Sequence, residues 1–234
     1  MNPGRRLSLI VACALFIENM DSTAIATSLP AIAADLGTEP IALKLALTAY
    51  LLSLAVFIPV SGWVADRFGA RSTFMAAIAV FLLGSLACAA SSTLEQMVAA
   101  RFLQGTGGAL MVPVGRLVLL RTVPKSELVQ ALSWLTIPAL VAPMIGPPLG
   151  GAISTYGDWR WIFLINIPMG LLGIVLARKY IPDLREAVPP LDWRGFALSG
   201  LGLALALFGF STLGRHLVST SLAASCLVLG LAAM

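Results

Sequence analysis

A chain of 234 residues that is 59% hydrophobic and only 11% charged, with a mean hydropathy of +0.93, cannot fold as a soluble globule, because soluble domains carry about 25% charged residues. The composition specifies an integral membrane protein. The net charge of +4 is therefore read by position, since membrane proteins concentrate Lys and Arg on the cytoplasmic side, and it does not point to nucleic acid.

A helix needs about 20 apolar residues to cross ~30 Å of hydrocarbon. The first such run covers 7–34. Its opening, MNPGRRLSLIVACALF, has the basic start and apolar stretch of a signal peptide. The apolar character resumes after Glu18 and Asp21 with no small-residue cleavage site, so an uncleaved first spanning helix is expected. Further runs cover 43–64, 74–90, 94–120, 129–153, 161–180 and 196–213, and an eighth starts near 217 and is still apolar at Met234. No set of segments alternates with period two, which argues against a membrane barrel. The ending inside an apolar run gives the expectation of an incomplete polypeptide.

Orientation follows from the basic residues. With the N-terminus in the cytoplasm, the inner links hold Arg5, Arg6, Arg67, Arg71, Arg116, Arg121, Lys125, Arg178, Lys179, Arg185 and Arg194, while Lys44, Arg160 and Arg215 lie outside and Arg101 lies within a helix. This asymmetry predicts N-terminus-in. The links are short except RKYIPDLREAVPPLDWR at 178–194. Charged and proline-bearing, it is the best domain boundary, with six helices before it.

Charges inside spanning helices are costly and mark pairs or cavities. Counting along the helix, Asp21 lies ~21 Å up from the inner edge and Arg101 ~10 Å down from the outer one, so the two reach about the same level and can pair. Glu18, three residues before Asp21, shares its helix face. Arg101, Gln104, Gly105 and Gly108 recur at helical spacing and form a polar, small-residue stripe suited to a wet cavity or a close crossing. Two readings stay open for the Asp21–Arg101 pair: a proton relay, or a fixed helix register. Cys13, Cys88 and Cys226 are odd in number, sit inside apolar runs and lack CxxC or Cys/His spacing; they read as small hydrophobes, and no metal site is expected.

The link between the second and third helices reads GWVADRFGAR. It resembles the Gly-x-Leu-Ala-Asp-Arg-x-Gly-Arg-Arg/Lys signature of the major facilitator superfamily, with Gly62, Ala65, Asp66, Arg67, Gly69 and Arg71 in register and Val64 and Ala70 departing from it. RFLQGTGGALMVPVGR at 101–116 resembles the family's helix-four motif with its membrane arginine. APMIGPPLGG at 142–151 resembles the helix-five motif of its antiporters through Gly146, Pro147, Gly150 and Gly151, with Ala142 in place of the first glycine. NMDSTAIATSLPAIAADLG at 19–37 and WRWIFLINIP at 159–168 are similar to helices one and six of the fourteen-helix drug:proton antiporter branch, the EmrB/QacA-like proteins.

The resemblance implies an all-α membrane fold. Residues 1–180 would form a six-helix N-terminal domain of two three-helix repeats, 181–195 a cytoplasmic linker, and 196–234 a seventh helix with a truncated eighth. It implies proton-coupled efflux of lipophilic or cationic small molecules by rocking against a missing C-terminal half. Asp21 and Glu18 would carry protons and Arg101 would tune them. Gly62, Asp66, Arg67, Gly69, Arg71 and Arg116 would form a cytoplasmic latch. Physically, Gly62 and Gly69 permit a tight turn, and Asp66 is expected near the positive start of helix three, within reach of Arg116 or Arg121. An ordinary positive-inside turn is the plainer reading of this link. Gly146 to Gly151 would bend helix five and admit a close neighbour, with or without a part in coupling.

Trp159 and Trp161 are expected in an outer aromatic belt, and His216 in a solvated external loop. No nucleotide-binding loop, catalytic triad or metal cluster is apparent, so an enzyme and ATP drive are not expected. The partners are the bilayer, protons and a small molecule; the energy source is a proton gradient, with no cofactor. The alternatives are a major facilitator transporter of another solute and a non-transporting fragment, and the chain alone is not expected to transport. The localisation implied is the inner membrane.

Overall fold

The computed structural model describes residues 3–212 and 219–233. Arg215, His216 and the start of the eighth run lie outside the described residues. Every regular element described is helical, and seven helices among the described residues are long and apolar enough to cross a membrane.

Helix α1 covers Pro3–Asp35 without a break, despite Pro30. At 1.5 Å per residue it reaches about 50 Å, longer than a ~30 Å hydrocarbon layer. The second span is interrupted. Helix α2 (Lys44–Phe57) tightens into a 3-10 turn at Ile58–Val60 and resumes as α3 (Ser61–Phe68). Pro59 lies in that turn and has no N–H to continue the α-helical ladder, which accounts for the tightening. Gly69 then separates α3 from α4 (Ala70–Ala89).

Helix α5 (Leu94–Thr122) begins at a capped end. The Thr93 side chain accepts from the Gln96 backbone N–H, and the Gln96 side chain in turn accepts from the Ser92 backbone N–H at 2.9 Å. This exchange resembles a capping box, and Glu95 adds a negative charge to the first turn. Helix α6 (Leu128–Tyr156) carries four prolines, at 138, 143, 147 and 148. The sixth span divides at Ile165 into α7 (Trp161–Leu164) and α8 (Asn166–Tyr180), where the ring of Pro168 opposes a continuous helix through the Leu164 carbonyl. Residues 181–192 are extended, and α9 (Trp193–Thr212) and α10 (Thr220–Ala232) follow.

Helix α1 packs mainly on α6, α5 packs on α4 and α2, and α8 packs on α4 and α1. Helix α9 joins the bundle along α2, with the Phe57 and Phe196 rings 6.4 Å apart. Glycines make the crossings close. The position of a side chain at Gly107 is filled by the backbone of Phe81, and that at Gly84 by the backbone of Gln104. Helices in membranes associate through such small-residue contacts because apolar burial offers them no advantage over lipid.

The core is divided in two. One apolar cluster includes Leu7, Val11, Phe74, Val114 and Val118. The other includes Ile25, Ile32, Leu43, Met97 and Phe163. Along α1, the first ends at Ile17 and the second begins at Ala24. Glu18 and Asp21 occupy the interval, so the polar side chains of the candidate site form a layer between two apolar ones.

Candidate functional site

The polar layer is built from five helices. Asp21 and Arg101 form a salt bridge of 2.5 Å in which neither side chain is exposed. Arg101 also donates from Nη1 to Gln104 Oε1 at 2.6 Å. Gln104 Nε2 donates to Asp21 Oδ1 at 3.0 Å and to Ser85 Oγ at 2.8 Å. From α8, Asn166 Nδ2 donates to the same Asp21 oxygen at 2.8 Å and to Ser85 at 3.0 Å. Asp21 therefore accepts from three side chains on two helices. A buried charge persists when it is paired and hydrogen-bonded in this way.

Glu18 is held differently. Its Oε1 accepts from the Tyr50 hydroxyl of α2 at 3.4 Å, and its buried Oε2 has no hydrogen-bond partner among the described residues. The Tyr50 ring lies under the Arg101 guanidinium, 4.3 Å from ring centre to Cζ, an arrangement in which a cation is attracted to the aromatic face. Tyr50 thus touches both members of the layer that are not joined directly. Gly108 leaves room for this contact, because a Cβ there would lie 3.1 Å from the Tyr50 hydroxyl and 3.3 Å from Glu18 Oε1. At Gly105 the corresponding space is taken by Ser53. Glu18, Asp21, Arg101, Gln104, Gly105 and Gly108 are brought together as their spacing predicts. Tyr50, Ser85 and Asn166 belong with them and carry no signal in the sequence beyond being polar residues in apolar helices.

The second candidate site is the α3–α4 turn. Gly69 has φ 96°, a conformation that favours glycine. Its α face is covered by the extended segment after α8. The Ala70 N–H donates to the Leu184 carbonyl at 2.9 Å, and the Glu186 N–H to the Asp66 carbonyl at 3.2 Å. Trp63 Nε1 donates to the Pro189 carbonyl at 2.9 Å. Arg71 and Arg185 both approach Asp183, at 4.0 and 3.2 Å. The link at 181–192 is therefore a strap across the turn.

Three expectations for this turn are corrected. Asp66 lies in the last turn of α3, before Gly69, and not at the start of α4; the helix ends four residues later than the apolar run, continued by Ala65, Asp66, Arg67 and Phe68. Its partner is Arg121, at 2.5 Å, which also reaches Glu186 at 3.2 Å. Arg116 is exposed and has no ion pair among the described residues, since five residues on a helix turn it well away from the Arg121 side. Gly62 is helical, with nothing within 4 Å of a Cβ placed on it, so it neither makes the turn nor admits a neighbour in this chain. Arg67 is exposed and lines a groove with Trp63, Pro189 and Trp193.

The helix-five glycines divide between two faces. Gly146 packs on Thr23 and Gly150 on the Ala24 carbonyl of α1. Thr27 donates to the Pro147 carbonyl at 3.3 Å, and Ser28 to the Gly150 carbonyl at 3.1 Å. Gly151 faces open space. Trp159 is also corrected: it is buried, bonded through Nε1 to Asp35 Oδ2 at 3.2 Å and covered by Arg160, which pairs with Asp35 at 2.9 Å. Trp161 alone of the two tryptophans is exposed, as a membrane-facing aromatic would be. The described residues contain no cluster of three or more His, Cys, Asp or Glu placed to hold a metal ion.

The chain is similar to known proteins along most of its length. The HsrA protein of Haemophilus influenzae, provisionally named a transport protein, is 42% identical over 98% of this chain and 50% of its own length. The MdtD protein of Cronobacter sakazakii, provisionally named for multidrug resistance, is 44% identical over 88% of this chain and 44% of its own. The chain thus spans about half the length of the curated relatives it matches. Among solved structures, the POT family transporter PepTSo superposes with a TM-score of 0.70 at 15% identity, covering 100% of this chain and 52% of that one. A D-xylose-proton symporter superposes with a TM-score of 0.67 at 15% identity, covering 97% and 65%. Both likenesses concern the fold. The family profile described as Major Facilitator Superfamily matches residues 11–234, and with relatives this similar along nearly the whole chain, the protein is a multi-pass membrane protein that belongs to the major facilitator superfamily.

Proposed function

We propose that the chain forms one six-helix half, 1–180, of a proton-coupled exporter of lipophilic or cationic small molecules, followed by the linker 181–195 and the first helices of what it rocks against. The observation that carries this reading is the layer of Glu18, Asp21 and Arg101, three ionisable side chains buried between apolar clusters. Intramembrane charges of this kind mark ion and proton pathways. The multidrug designation of MdtD supports a drug-like substrate, and the two-carboxylate layer suits exchange of a proton for a cation. The proton gradient supplies the energy.

In this reading the N-terminus is cytoplasmic, in the inner membrane. The Asp66–Arg121 pair with Arg67 and Arg71 closes the cytoplasmic side, and the helix-five glycines set the fit of α6 on α1. Alternating access then rocks the two halves around the layer.

Dye accumulation tests it. Cells expressing the gene that encodes this chain, read to its stop codon, should accumulate less of a lipophilic cationic dye than cells without it. The difference should vanish when a protonophore collapses the gradient. Equal accumulation with and without the gene would remove the export reading, and export that persists without the gradient would remove proton coupling.

A further inference from the structure

The bonding of the two carboxyls is unequal. Asp21 Oδ2 takes Arg101 and Oδ1 takes both Gln104 and Asn166. Every donor facing Asp21 is an N–H, so a proton added there would meet another donor. Glu18 has one long bond from Tyr50 and a buried oxygen with none among the described residues. A bare carboxylate oxygen in an apolar wall is costly, and binding a proton removes the charge.

The charge count leads to the same residue. The layer contains two carboxyls, Glu18 and Asp21, and one guanidinium, Arg101. Tyr50 from α2 and Cys88 from α4 are the other titratable side chains at this level, bonded to Glu18 and Gln104. Helix α6 has no acidic or basic residue at all, and those of α8 are Arg178 and Lys179 in its last turn. The layer is therefore one negative charge in excess until it binds one proton.

We infer that Glu18 is the proton-exchanging carboxyl, held by Tyr50 as a positioning residue, and that Asp21 is the anchor for Arg101, Gln104 and Asn166. The proton bonds Glu18 Oε2, while Oε1 keeps the Tyr50 hydroxyl. On release it passes to water admitted to the layer. This inference rests on the proton-coupled reading for its purpose but not for its test.

Infrared spectroscopy of the purified chain in lipid nanodiscs reads the protonated carboxyl directly, without transport. At neutral pH the wild-type chain should show a carboxylic-acid C=O band that shifts in heavy water. Glu18→Gln should lose it, and Tyr50→Phe should move it to higher frequency as a hydrogen bond is lost. Where a variant does not fold, wild-type chain carrying heavy-isotope carboxyl label in glutamate should shift the band, and label in aspartate should not. A band that follows the aspartate label, or the absence of any acid band, overturns the inference. Export could still hold after such a result, while failure of the dye assay with a glutamate-labelled band intact would refute export alone.

Discussion

Asp21 on α1 and Arg101 on α5 face each other at 2.5 Å across eighty residues of sequence, with neither side chain touching solvent. The pair ties the first helix of each proposed triplet at the depth where the apolar core divides. Removing one partner leaves a buried charge uncompensated, at a cost of about 3–5 kcal/mol, whereas replacing both by apolar residues is often neutral. Arg101→Leu should therefore lower the thermal stability of the chain in detergent far more than the double variant Asp21→Leu with Arg101→Leu. A double variant as unstable as the single one would mean that the pair has no such coupling.

The pair at the strap behaves otherwise. Asp66 and Arg121 are partly exposed, at 17% and 26% of their side chains, and pairs open to solvent contribute about 0.2–1 kcal/mol. Asp66→Asn should leave the melting temperature nearly unchanged. If the pair closes the cytoplasmic side, the same substitution should reduce dye export several-fold. Normal export by Asp66→Asn would show that the turn is not a latch.

How much of this was legible follows from the kind of signal each residue carries. Glu18, Asp21 and Arg101 stand out because charge is rare in an apolar helix, and the helical rise alone sets their level. Asn166, Ser85 and Tyr50 do not stand out, since such residues are ordinary in spanning helices and only the packing of α8, α4 and α2 shows where they point. The identity of the Asp66 partner depended on helix rotation, which brings Arg121 inward and leaves Arg116 exposed. The strap had no periodicity to read. It is held largely by backbone bonds, Ala70 to Leu184 and Glu186 to Asp66, which composition does not advertise. Its charges and prolines marked a domain boundary and gave no sign of what it lies on.

The two glycines of the turn motif should respond differently to the same change. Gly69→Ala forces a side chain onto a backbone at φ 96° with Asp183 in the way, and strain of this kind costs about 1–3 kcal/mol. Gly62→Ala meets open space and replaces glycine inside a helix, which favours alanine by roughly 0.5–1 kcal/mol. Thermal unfolding of the two variants should therefore move in opposite directions. A destabilised Gly62→Ala would place an unseen neighbour on that face.

The proposed export depends most on the buried layer exchanging protons against substrate. Everted membrane vesicles expressing the gene, with an imposed pH gradient followed by a fluorescent reporter, measure this directly. Addition of a lipophilic cation should discharge part of the gradient in wild-type vesicles and leave it intact with Glu18→Gln or Asp21→Asn. A gradient untouched by substrate in wild type, coupling in the opposite sense, or undiminished discharge by both variants would contradict it.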